Sequence, residues 1–363
     1  MAGNFVQLHN HTHYSLLDGA SKVPDLVKRV KELGMPAVGI TDHGNMHGAY
    51  ELWRAAVDSG VKPIIGIEAY VTPETARQDK TRVSWDTNWT PVPGHARNPD
   101  DVSGGGLITH LTMWAENDEG LVNLIKASSV ANLEGRVMRY PRMDKEVLST
   151  YSKGVIASSG CPSGIIQTRL RLGQFDEALR AAGEFQDIFG KDNFYIELMD
   201  HGLSIESKVT GDLLTIAKKL GAPLLATNDS HYVMEADKDV QDAMLCINSG
   251  ATLDDPNRFK FEGSGYYIKS AEEMRELFKD HPDACDNTLE IAERCNVIFD
   301  DHEDGAFMPQ FDCPEGWDET SLFLKKVEEG LEKRYDGNPP MEVLKQADYE
   351  CGVICQMQFC GYF

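Results

Sequence analysis

The sequence predicts an α/β protein: a seven-stranded (β/α) barrel with a helical extension after it. Three observations carry this. Seven short apolar runs alternate with helical patterns through the first ~230 residues, the rhythm of successive β/α units. Residues able to ligate a metal stand in or at the end of six of those seven runs, and the C-terminal ends of strands are where a parallel barrel gathers its functional groups. Beyond about residue 270 the alternation stops and amphipathic helical patterns take over.

In chain order the candidate strands are FVQLHNH (5–11), AVGIT (37–41), PIIGIEAYV (63–71), LITHLTMWA (107–115), GVIASSG (154–160), FYIELM (194–199) and APLLATND (222–229). Between them the helix signals are good. Residues 21–34 have a polar start, Pro24 in the first turn, apolar Leu26, Val27, Val30 and Leu33, and a terminal glycine. Similar patterns occupy 47–59, 118–134, 163–190 and 205–220. Residues 73–106 break the rhythm: polar and rich in proline and glycine, they read as a surface insertion. Trp85 and Trp89 there are expected to pack locally, with a lid or docking surface as the functional alternative. After the barrel (1–270), residues 271–363 form a helical connector. It comprises two helices to 298, an acidic stretch at 299–317, and helices at 318–336 and 341–358.

Composition narrows the function. A net charge of −23 argues against broad nucleic-acid binding, which needs clustered lysine and arginine. It leaves room for a compact phosphate site, because bound cations invert the local field. The eight cysteines have no disulfide-framework spacing and read as reduced thiols of a cytoplasmic protein. No apolar stretch is long enough to cross a membrane, and the first residues lack the charge and apolar pattern of a signal peptide.

Function is most legible in HNHTH. On a strand, residues i and i+2 share a face, so His9 and His11 can reach one ion together. Asp18 follows shortly after. His43 ends the second run in TDHG, Glu68 stands in GIEAY, His110 in ITHLT and Cys161 in SSGCPSG. Asp229 and His231 repeat the alternate spacing in NDSH. A lone histidine is usually a satisfied core or surface residue; ligand-type residues at equivalent places in successive units are not explained that way. Imidazole, carboxylate and thiolate suit Zn²⁺, with Mn²⁺ or Fe²⁺ as competitors. Nine ligands exceed one tetrahedral ion and fit two or three. Asp18, Glu68, Asp229 and a Cys161 thiolate would bring four negative charges against six from three divalent ions, leaving a net positive site for a phosphate. Metal-assisted phosphoester hydrolysis follows, with a metal-bridging hydroxide held among Glu68, Asp229 and His231.

HNH, TDHG, GIE, the strand histidine, SGCPSG and NDSH together resemble the motif set of PHP (polymerase and histidinol phosphatase) domains. The segments HNHTHYSLLDGA, AVGITDHGNMHGA, KPIIGIEAYV, FYIELMDHG and LLATNDSHYV are most similar to the PHP domains of bacterial replicative DNA polymerase III alpha subunits. The resemblance covers nearly the whole chain. It implies a distorted seven-stranded barrel and a trinuclear site held by His9, His11, Asp18, His43, Glu68, His110, Cys161, Asp229 and His231. It further implies 3′→5′ exonuclease activity on a DNA 3′ end. The partners implied are the remainder of the alpha subunit and other replisome subunits. The ending GYF resembles a point inside that longer polypeptide, before the polymerase active site.

The neighbours read less sharply. His13 is not a ligand in the resemblance and is assigned behind the ligands or on the substrate side. Asp42 orients a ligand or bonds its loop. His47 falls on the helix after TDHG. Asp200 and His201 end the one strand that carries none of these nine residues, and contact phosphate or serve structure. Arg169 and Arg171 read as a solvated helix face, with DNA contact as the alternative. His95, His281 and His302 carry no argument. His231 or His13 is the candidate general acid. Two rival functions stand beside the exonuclease. One is a catalytically silent, metal-stapled interaction module. The other is a small-molecule phosphatase, which would not need the region after 270.

Overall fold

The computed structural model describes residues 5–91, 98–300 and 310–363. His95 and His302, with parts of the expected insertion and acidic stretch, lie outside the described residues. Two compact units are present, Met1–Phe299 and Asp300–Phe363.

The first unit holds one seven-stranded sheet: β1 (Ala37–Ile40), β2 (Lys62–Val71), β3 (Thr109–Ala115), β4 (Arg142–Met143), β5 (Val155–Ser158), β6 (Phe194–Leu198) and β7 (Leu224–Ala226). The strand order is β1-β2-β3-β5-β6-β7, with β4 parallel to the end of β2. The expected first strand makes isolated bridges instead of a ladder. Gln7 bridges Val38 and Asn10 bridges Ser230, both in parallel. Segment 5–11 therefore links β1 to the residues just after β7 and curls the sheet round on itself.

One direction departs from the parallel expectation. β3 runs antiparallel to both β2 and β5, pairing Tyr70 with His110 and Glu68 with Thr112. His110 consequently stands at the start of its strand, and reversal brings that start to the rim where the parallel strands end. The long connection 72–108 joins an antiparallel pair, so it needs no crossover helix.

The barrel interior is packed in two parts. At one end Val6, Leu8, Ala37, Ile64, Trp114, Ile156, Tyr195 and Leu225, with at least one contributed by nearly every strand, cluster with Ile291, Ala292 and Cys295. The last three lie on the helix Pro282–Arg294 and its C-cap, which closes this end. Thr288 of that helix accepts from Val6 N at 3.1 Å, and Asn287 donates to Leu224 O at 2.7 Å. The helices Ala271–Leu277 and Pro282–Arg294 lie in the same compact unit as the sheet, Met1–Phe299. The other end of the barrel is polar and holds the histidines.

The outer helices follow the apolar stripes. Val23–Glu32 buries Val23, Leu26, Val27 and Val30 and takes proline in its first turn. Asp118–Glu134 is capped by Asn117, whose side chain accepts from Gly120 N. The single helix expected over 163–190 is two, Ile165–Arg171 and Phe175–Phe189, because Gly173 takes a φ of +72° and ends the first. Two helices lacked a recognised sequence signal, Lys145–Thr150 and Lys238–Ser249. The second unit carries Glu319–Arg334, capped by Asp318, and Met341–Gln356. Among the described residues no helix is long and apolar enough to cross a membrane.

Candidate metal centre

All nine expected ligands converge at the polar end of the barrel. His9 Nε2 and His11 Nε2 stand 3.3 Å apart, and Asp229 Oδ1 lies 3.3 Å and 3.1 Å from them. Glu68 sits in the middle: Oε2 is 2.5 Å from His43 Nδ1 and 3.6 Å from His11 Nε2, and Oε1 is 3.1 Å from His110 Nδ1. His43 Nε2 reaches Asp18 Oδ2 at 3.1 Å, and His231 Nε2 reaches Asp18 Oδ1 at 3.8 Å. Cys161 Sγ lies 3.4 Å from His110 Nδ1. Three overlapping donor triads emerge: His9–His11–Asp229, His11–His43–His231 and His43–Glu68–His110. Asp18 and Cys161 flank them.

Local backbone explains the convergence. Asp229 takes a φ of +45°, tolerable for aspartate, which turns the chain between β7 and His231. Gly44 follows His43 with a φ of +64°, and a Cβ there would lie 2.7 Å from the Tyr70 ring. Only glycine lets the loop after β1 pass that ring.

The donors fit divalent cations. Both Glu68 oxygens, Asp229 Oδ1, His43 Nδ1 and His231 Nε2 are buried and crowd one another as closely as 2.5 Å, yet none makes a hydrogen bond of proper geometry among the described residues. Such groups are costly unless something satisfies them. Charge tells the same story. Burial opposes ionisation of Glu68 and Asp229, yet the surrounding histidines hold both carboxyls well below the usual range. Asp18 is held at about 2 by His231 and His43 against its own burial. Burial, then repulsion from His43 and His231, lowers His11 to about 3, so its imidazole is neutral. Burial and the Glu68 and Asp229 charges push the Cys161 thiol up; a cation is what would let it ionise.

Buried partners behind the candidate donors fix their tautomers. His231 Nδ1 lies 2.8 Å from Asp229 O, an acceptor only, so Nδ1 carries the proton and Nε2 the lone pair. Ser15 Oγ donates to Asp42 Oδ1 at 2.7 Å, so its lone pair faces His11 Nδ1 at 2.9 Å. His11 Nδ1–H then donates to Ser15, and His11 Nε2 turns a lone pair to the centre. Asp42 also accepts from Thr12 N and Thr12 Oγ1 at 2.7 Å and 2.8 Å. It holds its loop and, through Ser15, orients a ligand. Glu197 does the same for His9, with Oε1 2.7 Å from Nδ1.

Sequence reasoning missed Glu197. The available signal was a carboxylate in the middle of the apolar run FYIEL. His201, considered for phosphate contact, is instead locked: Nδ1 bonds Glu206 at 2.5 Å, Nε2 bonds Asn228 O at 2.9 Å, and the ring stacks on Tyr266. Asp200 Oδ1 accepts from Gly202 N in its own turn. His13 joins no triad and packs on Tyr14. Arg169 and Arg171 form no solvated face, being 8% exposed each. Arg169 stacks 3.8 Å over Trp85 and pairs with Glu74, while Arg171 donates to Pro162 O. Through Trp85 and Glu74 for Arg169, and Asp100 for Arg171, they fasten the described parts of the 73–106 segment to the barrel.

A cleft of about 700 Å³ opens beside the centre. Asp18, His43 and His110 line it, together with His47, Tyr70, Tyr140 and two arginines, Arg136 and Arg139.

A curled, mostly parallel sheet with a buried His/carboxylate/thiol cluster at one rim defines a class of barrel whose donors suit metal ions. The chain belongs to the PHP domain family, which it matches over residues 7–201. It is 50% identical over 361 residues to a DNA polymerase III subunit alpha of Mycobacterium leprae, covering 99% of this chain and 30% of that protein. Identity to the same subunit of Saccharopolyspora erythraea is 49%, covering 99% of this chain and 30% of that one. For Borreliella burgdorferi the identity is 39%, covering 99% and 29%. The chain thus spans about a third or less of the length of these relatives.

Proposed function

We propose that the chain is the metal-dependent phosphoesterase module of a DNA polymerase III alpha subunit, and that it works as a 3′→5′ exonuclease that proofreads during replication. One observation carries the reading: three donor triads share His11 and His43 around unpartnered oxygens of Glu68 and Asp229. His9, His11, Asp18, His43, Glu68, His110, Cys161, Asp229 and His231 would hold two or three divalent ions, Zn²⁺, Mn²⁺ or Fe²⁺. Bound there, the ions supply Lewis acidity toward a phosphoryl oxygen and lower the pKa of a bound water.

The protein's own part is orientation and charge. Glu197 and the Asp42–Ser15 pair keep the ring protons of His9 and His11 on Nδ1, leaving each Nε2 as a donor. The deep site excludes bulk water around His9, His11 and Glu68, all 0% exposed. The cleft lined by Asp18, His43 and His110 gives a DNA 3′ end its approach. His231 Nε2 carries a lone pair when the ring is neutral, which disfavours it as the acid for the leaving 3′-oxygen.

The rest of the polymerase would supply the basic DNA track that a −23 chain lacks. The same burial and acidity favour one other reading, in which the metals staple a silent module that supports the polymerase. The test is release of 3′ nucleotides from single-stranded and 3′-mismatched DNA with Mn²⁺ or Zn²⁺. Wild type and Asp229→Asn are compared with bound metal counted. Release by wild type and its loss in the variant support the exonuclease; a metal-loaded wild type that releases nothing supports the staple.

A further inference from the structure

The arginines of this protein are mostly committed. Arg77, Arg180, Arg258 and Arg294 each pair with carboxylates, and Arg142 is spent on four backbone carbonyls. Arg136 and Arg139 differ. Both are exposed, both line the cleft beside His43 and His110, and neither forms an ion pair with a carboxylate among the described residues. Arg136 Nε donates to Met138 O, and Arg139 Nη1 donates to the neutral amide of Asn248. The nearby Glu134 carboxylate is taken by Arg77 at 2.7 Å.

The two are held on a tight hairpin. Val137 and Tyr140 exchange both backbone hydrogen bonds at 3.0 Å, and Met138 at its tip takes a φ of +54°. A bulky residue in that region is strained, which marks a turn kept in one shape. Tyr140 packs on Tyr70 at 5.1 Å, tying the hairpin to the strand that carries Glu68.

The same cleft presents an aromatic face. Phe259 is 62% exposed and lines the cleft. Its ring meets Phe261 at 6.0 Å, and Phe261 meets the ligand His231 at 4.6 Å. Unpaired cations beside an exposed ring are what a single nucleic-acid strand asks of a protein: charge for the backbone and a flat surface for a base.

We propose that Arg136, Arg139 and Phe259 form the subsite for the nucleotides next to the scissile phosphate, so that the cleft selects a single-stranded polynucleotide over an isolated phosphate ester. The proposal rests on the exonuclease reading for which phosphate is cut, and it adds how the strand is gripped. In a chain of net charge −23, this arginine pair is the local exception that lets an acidic protein hold a polyanion.

The test is binding of a 5′-fluorescein-labelled oligothymidylate to the whole chain across a salt series. It is run for wild type, Arg136→Ala/Arg139→Ala, Arg136→Lys/Arg139→Lys and Phe259→Ala. Circular dichroism and metal content check that each is folded. The double alanine variant is expected to bind roughly tenfold or more weakly. Its slope of log K against log salt should fall by about 1.4, at ~0.7 per lost single-strand phosphate contact. The lysine pair should keep the slope, and Phe259→Ala should weaken binding at an unchanged slope. Equal affinity and slope in wild type and the alanine pair overturn the subsite, as does absence of binding by wild type at low salt. Nucleotide release measured alongside separates the two claims. Arginine-dependent binding without release sinks the exonuclease and keeps the subsite; release with the same KM in wild type and the alanine pair does the reverse.

Discussion

Glu197 Oε1 lies 2.7 Å from His9 Nδ1, with both side chains fully buried. The carboxylate also accepts from Ser158 Oγ and Thr227 Oγ1 at 2.5 Å each. It is held from two places, the end of β5 and the residue after β7, and holds one ring. Glu197→Gln keeps the shape and removes the charge behind His9. Metal affinity is expected to drop about 10- to 100-fold with the fold intact. Titration of the metal-free protein with Mn²⁺ checks this; unchanged affinity would place Glu197 in packing alone.

Cations and folding should be linked. Without ions, Glu68 and Asp229 leave buried oxygens unpartnered, so chelation is expected to lower Tm and added Mn²⁺ or Zn²⁺ to restore it. At a hundredfold excess over Kd the binding contributes roughly 2.7 kcal/mol. Thermal scans of wild type and Glu68→Gln decide the matter: the variant should lose most of the metal-dependent shift. A wild-type Tm indifferent to chelator and metal counts against the linkage.

Arg169 joins Trp85, Glu74 and Gln174 in one place, so Arg169→Ala should loosen the segment it fastens. Leaving the half-buried Glu74 with fewer partners costs on the order of 1–3 kcal/mol. The expected readout is faster proteolysis within 73–106 at unchanged metal content. Equal cleavage rates in variant and wild type would show the segment to be held by other contacts.

Lys269, one residue removed from Asp229 through Asn228, gives a pH signature of its own. Burial lowers its pKa to about 8, and its ammonium bonds Asn228 Oδ1 at 2.6 Å. Unfolded, it titrates near 10.4. Between about pH 8 and 10.4 the unfolded chain therefore binds more protons than the folded one, and stability rises with pH from this group. Denaturant unfolding of wild type minus Lys269→Met should show that rise across the window. A flat difference curve would mean that folded Lys269 keeps its ordinary pKa.

The sequence made the candidate donor set legible because most of these residues sit in short local motifs at strand ends or in the loops after them; Glu68, inside β2, and His110, at the start of β3, were legible from their place in the repeating rhythm. Direction was hidden: an apolar run such as LITHLTMWA reads the same whether β3 runs with or against its neighbours, and pairing partners decide it. β4 is only Arg142–Met143, too short for any period. Glu197 was masked by its apolar strand, and its role exists only because His9 arrives from across the barrel. Arg169 and Arg171 were misread because charge implies solvent until a partner such as Trp85 or Pro162 O is in place. The two helices after 270 carry ordinary amphipathic patterns, and nothing local says that Ile291 and Cys295 close the barrel.

Whether one buried cluster holds the ions is read by anomalous diffraction at the manganese edge, from crystals of the whole chain grown with Mn²⁺. Two or three peaks are expected within about 2.0–2.4 Å of the nine donor side chains, with Glu68 and Asp229 each touching at least one. No peak among His9, His11, His43, Glu68 and Asp229 in Mn²⁺-saturated crystals would contradict that expectation.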